Sequence, residues 1–293
     1  MTLFLQLLVN GLVNGAIFSL LASAFGVVYR SVGVFHIAFA GLLVVSPYAT
    51  YLARTWFDLP LWLAFSLGVF TGMIAGYLTE RLLYRPLYHR KASPTAVMVA
   101  SLGAFVIIEN VLALAFGNEV RLINRSMATR TTFGLVSLTS IQLAQLTSSA
   151  IVLLGLALSM RHLRVFKAIW AMGEEPTLIP VLGLPLMKYR AIVFSLSGGL
   201  GGMACCLIAM DTGVDPHMGM SYLLIAAVAM LAGGIDKYVG WILGGFGLAV
   251  LQSASVLMFS PKWMDLVTFV VLIGILLFRP QGVLGLRRRL EET

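Results

Sequence analysis

Long apolar blocks, each closed by a short polar or charged stretch, follow one another from end to end of this chain. A bilayer core of about 30 Å takes roughly 20 apolar residues per helix. Blocks of that kind predict crossings near Gln6–Val28, Val34–Ala53, Leu61–Leu83, Thr95–Phe116, Leu143–Met160, Ala191–Met210, Ser221–Gly234, Val239–Phe259 and Met264–Phe278. The predicted architecture is an all-α polytopic membrane protein of about eight to nine transmembrane helices, forming a single domain over residues 1–293. The Ser221–Gly234 block is short and ends on two glycines, so a half-helix or re-entrant segment is an open alternative there. Irregular backbone at membrane depth is tolerated only where protein or a water-filled cavity satisfies it.

Composition excludes a soluble fold: 59% of the 293 residues are hydrophobic and only 11% are charged, with a mean hydropathy of +0.95, far from the balance of soluble domains. Lys and Arg accumulate in loops that stay in the cytoplasm. With Arg81–Lys91 placed inside, the later loops alternate, and only Arg54, Arg121, Arg125, Arg130 and Lys262 fall outside, which leaves 15 of the 20 Lys and Arg inside. An outer N-terminus and a cytoplasmic C-terminus follow. The net charge of +8 is then the summed inner bias and not a nucleic-acid footprint. No Lys or Arg precedes Arg30, so the first block lacks the basic start of a secretory signal and is expected to be retained.

One polar interruption is longer and more ordered than the rest, the stretch from Arg161 to Arg190, RHLRVFKAIWAMGEEPTLIPVLGLPLMKYR. Basic clusters flank it. Glu174 and Glu175 ahead of Pro176 place anions and a tolerated proline at a helix start. Leu178, Ile179, Val181 and Leu182 supply an apolar run, Gly183 ends it, and Pro185 blocks its return. A short helix across the inner membrane face is expected, of a kind that docks into a groove on another protein. An ordinary amphipathic loop helix gives the same pattern.

Reactive chemistry is sparse. Cys205 and Cys206 are adjacent in an apolar block, where a vicinal bridge is strained and metal spacing is absent. His36, His89, His162 and His217 are scattered, with no pair at ligand spacing. No G-x-x-x-x-G-K-[ST] phosphate loop occurs. Leu196-Ser197-Gly198-Gly199-Leu200 resembles the signature of ATP-binding-cassette ATPases, but its apolar flanks make it a packing face. The chain reads as no enzyme and as binding no cofactor of its own.

Glycines spaced by four, Gly11/Gly15, Gly68/Gly72/Gly76 and Gly240/Gly244, suit close helix crossings in lipid or else a narrow path. Polar side chains within spans are better path markers, because each is costly in hydrocarbon. Gln6, Asn10 and Asn14 form a stripe at i, i+4, i+8; Glu109 and Asn110 lie in the fourth block and Gln252 in the eighth. Each is equally placed to hydrogen-bond a neighbouring helix. No span holds a proton relay or a carboxylate cluster, the groups that a secondary transporter or channel working without an ATPase would need. An outside energy source acting on the cytoplasmic loop is therefore expected.

Four stretches carry a family resemblance. Asn10-Gly11-Leu12-Val13-Asn14-Gly15-Ala16-Ile17-Phe18-Ser19-Leu20 is similar to N-G-L-x-x-G-x-x-Y-x-L, and Glu80-Arg81-Leu82-Leu83-Tyr84-Arg85-Pro86-Leu87 to E-R-x-x-Y-R-P-L. Ala168 through Gly183 resembles R-A-x-A-x-D-x-x-x-A-x-x-x-G-I, and Gly233-Gly234, Gly240, Gly244-Gly245 and the tail Leu277-Phe278-Arg279-Pro280-Gln281-Gly282-Val283-Leu284-Gly285 resemble a closing pattern. In this order they resemble the LivH-type permeases of branched-chain amino acid ATP-binding-cassette importers, over nearly the whole chain. Relatives for urea and short amides share the motifs.

The resemblance implies a permease subunit of an ATP-driven importer in the bacterial inner (plasma) membrane, for branched-chain amino acids or related small polar solutes. It also implies a second homologous permease, two ATPase subunits that use the ATP, and a periplasmic or lipid-anchored substrate-binding protein. Anionic membrane lipid is the expected partner of the basic residues around the loop. Glu174, Glu175, Pro176, Leu178, Leu182 and Gly183 are then the expected coupling residues. Asn10, Asn14, His36, Phe39, Glu109, Asn110 and Gln252 are the candidate translocation path. Where the family shows N-F-A-H-G-E, this chain has His36-Ile37-Ala38-Phe39-Ala40-Gly41, a more apolar version. Trp170 and Pro180 stand where Arg and Ala are common, implying a shorter or bent coupling helix.

Overall fold

The computed structural model describes residues 2–123, 130–133, 136–175, 178–181, 183–258, 263–279 and 281–285. Helices dominate them. In chain order these are α1 (Thr2–Val32), α2 (Phe39–Thr55), α3 (Leu61–Thr79), a π-helical turn (Glu80–Tyr84), α4 (Arg85–His89) and α5 (Pro94–Phe116). After a hairpin of β1 (Arg130–Phe133) and β2 (Val136–Thr139) come α6 (Ser140–His162), α7 (Arg164–Glu174), α8 (Leu178–Val181), α9 (Leu186–Thr212), α10 (Met218–Gly233), α11 (Tyr238–Met258) and α12 (Met264–Phe278). Six of the helical stretches are long and apolar enough to cross a membrane: Gln6–Val32, Leu61–His89, Pro94–Phe116, Ser140–His162, Leu186–Thr212 and Tyr238–Val256. The chain is a nearly all-helical polytopic membrane protein.

Three departures from the sequence pattern have local causes. The second apolar block begins at Val34, yet α2 starts only at Phe39, because Gly33 turns the chain with φ +72° and the following residues run non-helically to Ala38. The block near residues 221–234 is one unbroken helix, α10, of 16 residues, about 24 Å long. The third is the antiparallel β1–β2 ladder, which pairs Arg130 with Thr139 and Phe133 with Val136. Thr139 closes this hairpin and opens α6 through a capping box with Gln142.

The core forms around α1, whose residues from Ile17 to Val28 are almost wholly buried and which packs on α11, α9, α10 and α6. α3 buries only Ala64, Gly68, Gly72 and Gly76, a single four-residue stripe turned to α9. A methyl on Gly72 would lie 2.6 Å from the Gly198 carbonyl oxygen, and one on Gly198 would lie 2.2 Å from that of Gly72, so two helix backbones touch there as small residues permit in lipid. Cys205 and Cys206 are free thiols, both buried, with Cys206 Sγ 3.3 Å from Thr50 Oγ1. By contrast α5 buries only Ser101 and Phe105 and leaves its remaining apolar surface open.

Polar features collect at two ends. Arg30, the α4–α5 turn, α7 and the start of α9 adjoin one another, and this end is called the basic face below. The hairpin holds Gln6, and Arg121 bridges to Val214 at the other end, the hairpin face.

Candidate functional site

On the basic face α7 is an amphipathic helix laid across the bundle. Phe166, Ile169, Trp170 and Gly173 recur at i, i+3, i+4, i+7 and form one stripe; Ile169 and Met172 are buried, while Arg164 and Lys167 are exposed. Gly173 abuts the end of α1 so closely that a Cβ there would lie 2.1 Å from the Arg30 carbonyl oxygen. The Arg30 side chain, itself buried, pairs with Glu174, lies 3.3 Å from Asp236 in the α10–α11 connection, and stacks 5.3 Å from the Trp170 ring centroid. Trp170 is also 5.9 Å from the Trp241 ring, which rests on Gly26 of α1. One guanidinium thus ties the loop helix to α1 and to the next connection.

The short helix expected to begin at Glu174 therefore has a different form: Glu174 ends α7. Glu175 is extended, with φ −146° and ψ 90°, as a residue before proline prefers. A carboxylate at a helix C-terminus opposes the helix dipole, and the Arg30 guanidinium offsets it. The second piece, α8, is a single turn. It closes with Gly183 N–H donating to Pro180 O at 2.9 Å and Leu184 N–H donating to Ile179 O at 3.1 Å, with Gly183 at φ +72°, a Schellman ending. Leu178 opens that turn, while Pro176 and Leu182 lie outside the described residues.

The motif Glu80–Leu87 places two buried groups beside this platform. Arg190 Nε donates to Glu80 Oε1 at 2.8 Å and Nη2 to Oε2 at 3.4 Å, a forked pair between a buried carboxylate and a buried guanidinium. Four residues on, Tyr84 Oη is 2.7 Å from His36 Nδ1 and 2.7 Å from Ser101 Oγ, while Ala38 N–H donates to Ser101 Oγ at 2.8 Å. Each donor is used once if Ser101 donates to Tyr84 and Tyr84 donates to His36; His36 then carries its proton on Nε2, which is buried without a partner among the described residues.

The candidate path residues do not converge. His36 and Phe39 come together, ring centroids 5.9 Å apart, but both are fully buried in packing against α9. Gln252 Nε2 donates to Thr268 Oγ1 at 2.6 Å and joins α11 to α12. Asn10 accepts from Gln6 Nε2 at 3.2 Å, and Gln6 exchanges two 2.9 Å bonds with the Ser137 backbone. Glu109 Oε1 is 2.7 Å from His217 Nδ1, and Asn110 donates back to Val106 O. Asn14 is exposed beside the Gly11 and Gly15 crossing onto α11.

A family model described as branched-chain amino acid transport system, permease component, matches residues 7–276. The chain belongs to this family. A permease named for high-affinity branched-chain amino acid transport in Pseudomonas aeruginosa, BraD, is 28% identical over 96% of both chains. Escherichia coli LivH, a permease of the same description, is 25% identical over 96% of both. In overall fold this permease is similar to a chain of PsaBC from Streptococcus pneumoniae, with a TM-score of 0.53 over 93% of this chain and 91% of that one at 13% identity.

Of the residues that organise the permease's basic face, Glu174 was among the coupling candidates, and Arg30, Gly173 and Asp236 were not. Arg30, Gly173 and Asp236 are separated widely in sequence, and no motif joins them. Arg30 did carry a signal, as the sole cation in the first 53 residues, at the end of a buried helix.

Proposed function

We propose that this permease is the membrane-spanning subunit of an ATP-driven importer in the bacterial inner membrane, with its N-terminus outside and its basic face in the cytoplasm. The observation that carries the reading is the docking of α7, an amphipathic helix with an exposed cationic side and a buried side held to α1 by Arg30. Two ATPase subunits take α7 and the α8 turn as their seat. Their closure on ATP shifts α7, Arg30 passes the shift to α1, and α1 carries the helices packed on it, so that the path opens to each side in turn.

A second homologous permease completes the path, and a periplasmic or lipid-anchored binding protein delivers solute at the hairpin face. Asn14 supports this placement: it is exposed on a span and makes no hydrogen bond to the described residues, a costly state in lipid that a partner subunit or aqueous path relieves. The solute is a branched-chain amino acid, as the names of the relatives suggest.

The test is co-purification and reconstitution. The tagged chain is expected to bring an ATPase and a second permease, and vesicles holding the assembly and its binding protein to take up labelled leucine, isoleucine or valine only with ATP. Uptake driven by an ion gradient through the chain alone overturns the coupling, and a preference for urea or a short amide overturns the solute.

A further inference from the structure

A cavity of about 1070 Å³ opens on the basic face between the α1–α2 link, the α4–α5 turn, the base of α5 and the edges of α7 and α9. Its described lining includes Arg30, His89, Lys91 and Arg190 and no carboxylate. The Arg190 charge is already met by Glu80 and that of Arg30 by Glu174, which leaves Lys91 as the cation open to a ligand, with the His89 imidazole as a further polar group, both exposed.

Lys91 stands in an unusual backbone position. Ala92 N–H donates to Leu87 O and Lys91 N–H to Tyr88 O, each at 3.0 Å, the two bonds of a Schellman ending to α4. Lys91 fills the left-handed site of that motif, with φ +51°. Glycine holds such a site without strain, whereas a residue with a Cβ does so at a cost. The turn alone gains nothing from lysine there; what lysine adds is an ammonium in the lining of the cavity.

The remaining lining is apolar and continues outward. Val97 and Met98 form the cavity's α5 wall. Met98, Leu102 and Val106, exposed by 49%, 42% and 45%, extend it as a stripe at i, i+4, i+8 along the least buried long helix, and Gly103 beside the stripe has nothing within 4 Å. A cation at one end of an open apolar track matches an anionic head with an acyl tail.

We infer that this cavity is a binding site for one anionic glycerophospholipid of the cytoplasmic leaflet. The phosphate lies against Lys91 and His89, and an acyl chain runs along Met98, Leu102 and Val106. A lipid so placed is a wedge between α5 and the loop helix α7. The inference requires that the chain spans a membrane and is independent of what it transports.

The test uses the full-length chain with whatever subunits accompany it, delipidated in a neutral detergent and titrated with phosphatidylglycerol, phosphatidylcholine or inorganic phosphate, the unfolding midpoint being followed. Phosphatidylglycerol is expected to raise the midpoint saturably, and the other two to leave it unmoved at equal concentration. Lys91→Gly relieves the turn, so its lipid-free midpoint stays the same or rises, while its half-saturating phosphatidylglycerol concentration increases about fivefold or more. Met98→Asp weakens the response similarly. Lys237→Gln, an exposed cation outside the cavity, leaves the titration unchanged. An unaltered titration in Lys91→Gly overturns the site, an equal loss in Lys237→Gln reduces it to general surface charge, and an equal response to inorganic phosphate removes the acyl track.

Discussion

Adding one methyl group at Gly173 is expected to separate transport from ATP hydrolysis. In Gly173→Ala the new Cβ would sit 2.1 Å from the Arg30 carbonyl oxygen and 2.8 Å from Arg30 Nη1, whereas real Cβ contacts essentially never fall under 3.0 Å. The carbonyl belongs to α1 and cannot swing away, so α7 must lift by about 1 Å or more, an overpacking cost of about 1–3 kcal/mol. Against this, burial of Ile169 and Met172 contributes about 1.5–3 kcal/mol for each side chain, so α7 stays docked in a displaced position. The Arg30–Glu174 pair is the contact that yields. Glu174 is 58% exposed, and a half-solvated pair of this kind holds with no more than about 1 kcal/mol. Reconstituted Gly173→Ala should reach the membrane in near-normal amount, hydrolyse ATP, and import labelled solute many times more slowly per ATP. Wild-type uptake per ATP in a variant shown to be folded would refute transmission through this contact.

Three further outcomes follow from the same geometry. Glu80→Gln leaves the Arg190 guanidinium buried without its counter-charge, a loss of about 3–5 kcal/mol. Resistance to denaturing detergent should fall accordingly, and the double variant Glu80→Met, Arg190→Met should recover most of it; additive losses would contradict the pairing. Gly72→Val drives side-chain atoms into the Gly198 carbonyl, 2.6 Å from the new Cβ, and is expected to abolish membrane accumulation on a quantitative blot, whereas Gly103→Val, with open space around it, leaves accumulation unchanged. Gly183→Ala meets no atom within 4 Å but must hold φ +72°; the strain of about 1–2 kcal/mol falls on α8 alone, so uptake should drop while the unfolding midpoint of the bundle barely moves.

The apolar blocks were legible because length and hydropathy alone decide what crosses a bilayer, and the glycine stripes because close crossings demand small residues wherever the partner lies. The position of the loop element was legible too, but its shape was not. Glu174, Glu175 and Pro176 satisfy the rules for a helix start, yet the chain uses the same proline to stop the preceding helix, and the choice is made by Arg30 some 144 residues earlier. Trp170, an oddity against the family pattern, makes sense as the aromatic face of that guanidinium, where an arginine would bring a second cation. His36 became a path candidate through its place in the run that stands where the family shows N-F-A-H-G-E. Its partner, Tyr84, is 48 residues away within the motif that also supplies Glu80, and sequence spacing carries no trace of that pairing.

The fastening of α1 near both ends makes it one unbroken helical lever between the two faces. Gln6 is bonded in both directions to the β2 backbone, and Arg30 is gripped by the loop helix; the helix between them covers about 36 Å at 1.5 Å per residue. On the proposed coupling, a push on the guanidinium is carried along this helix toward the hairpin, so a reporter on Ser137 is expected to gauge nucleotide state. Such coupling is reciprocal by thermodynamic necessity. Under that proposal, whatever free energy the nucleotide imposes on the hairpin, a protein leaning on the hairpin imposes on the loop, and α1 would give solute delivery a mechanical voice in when the motor fires.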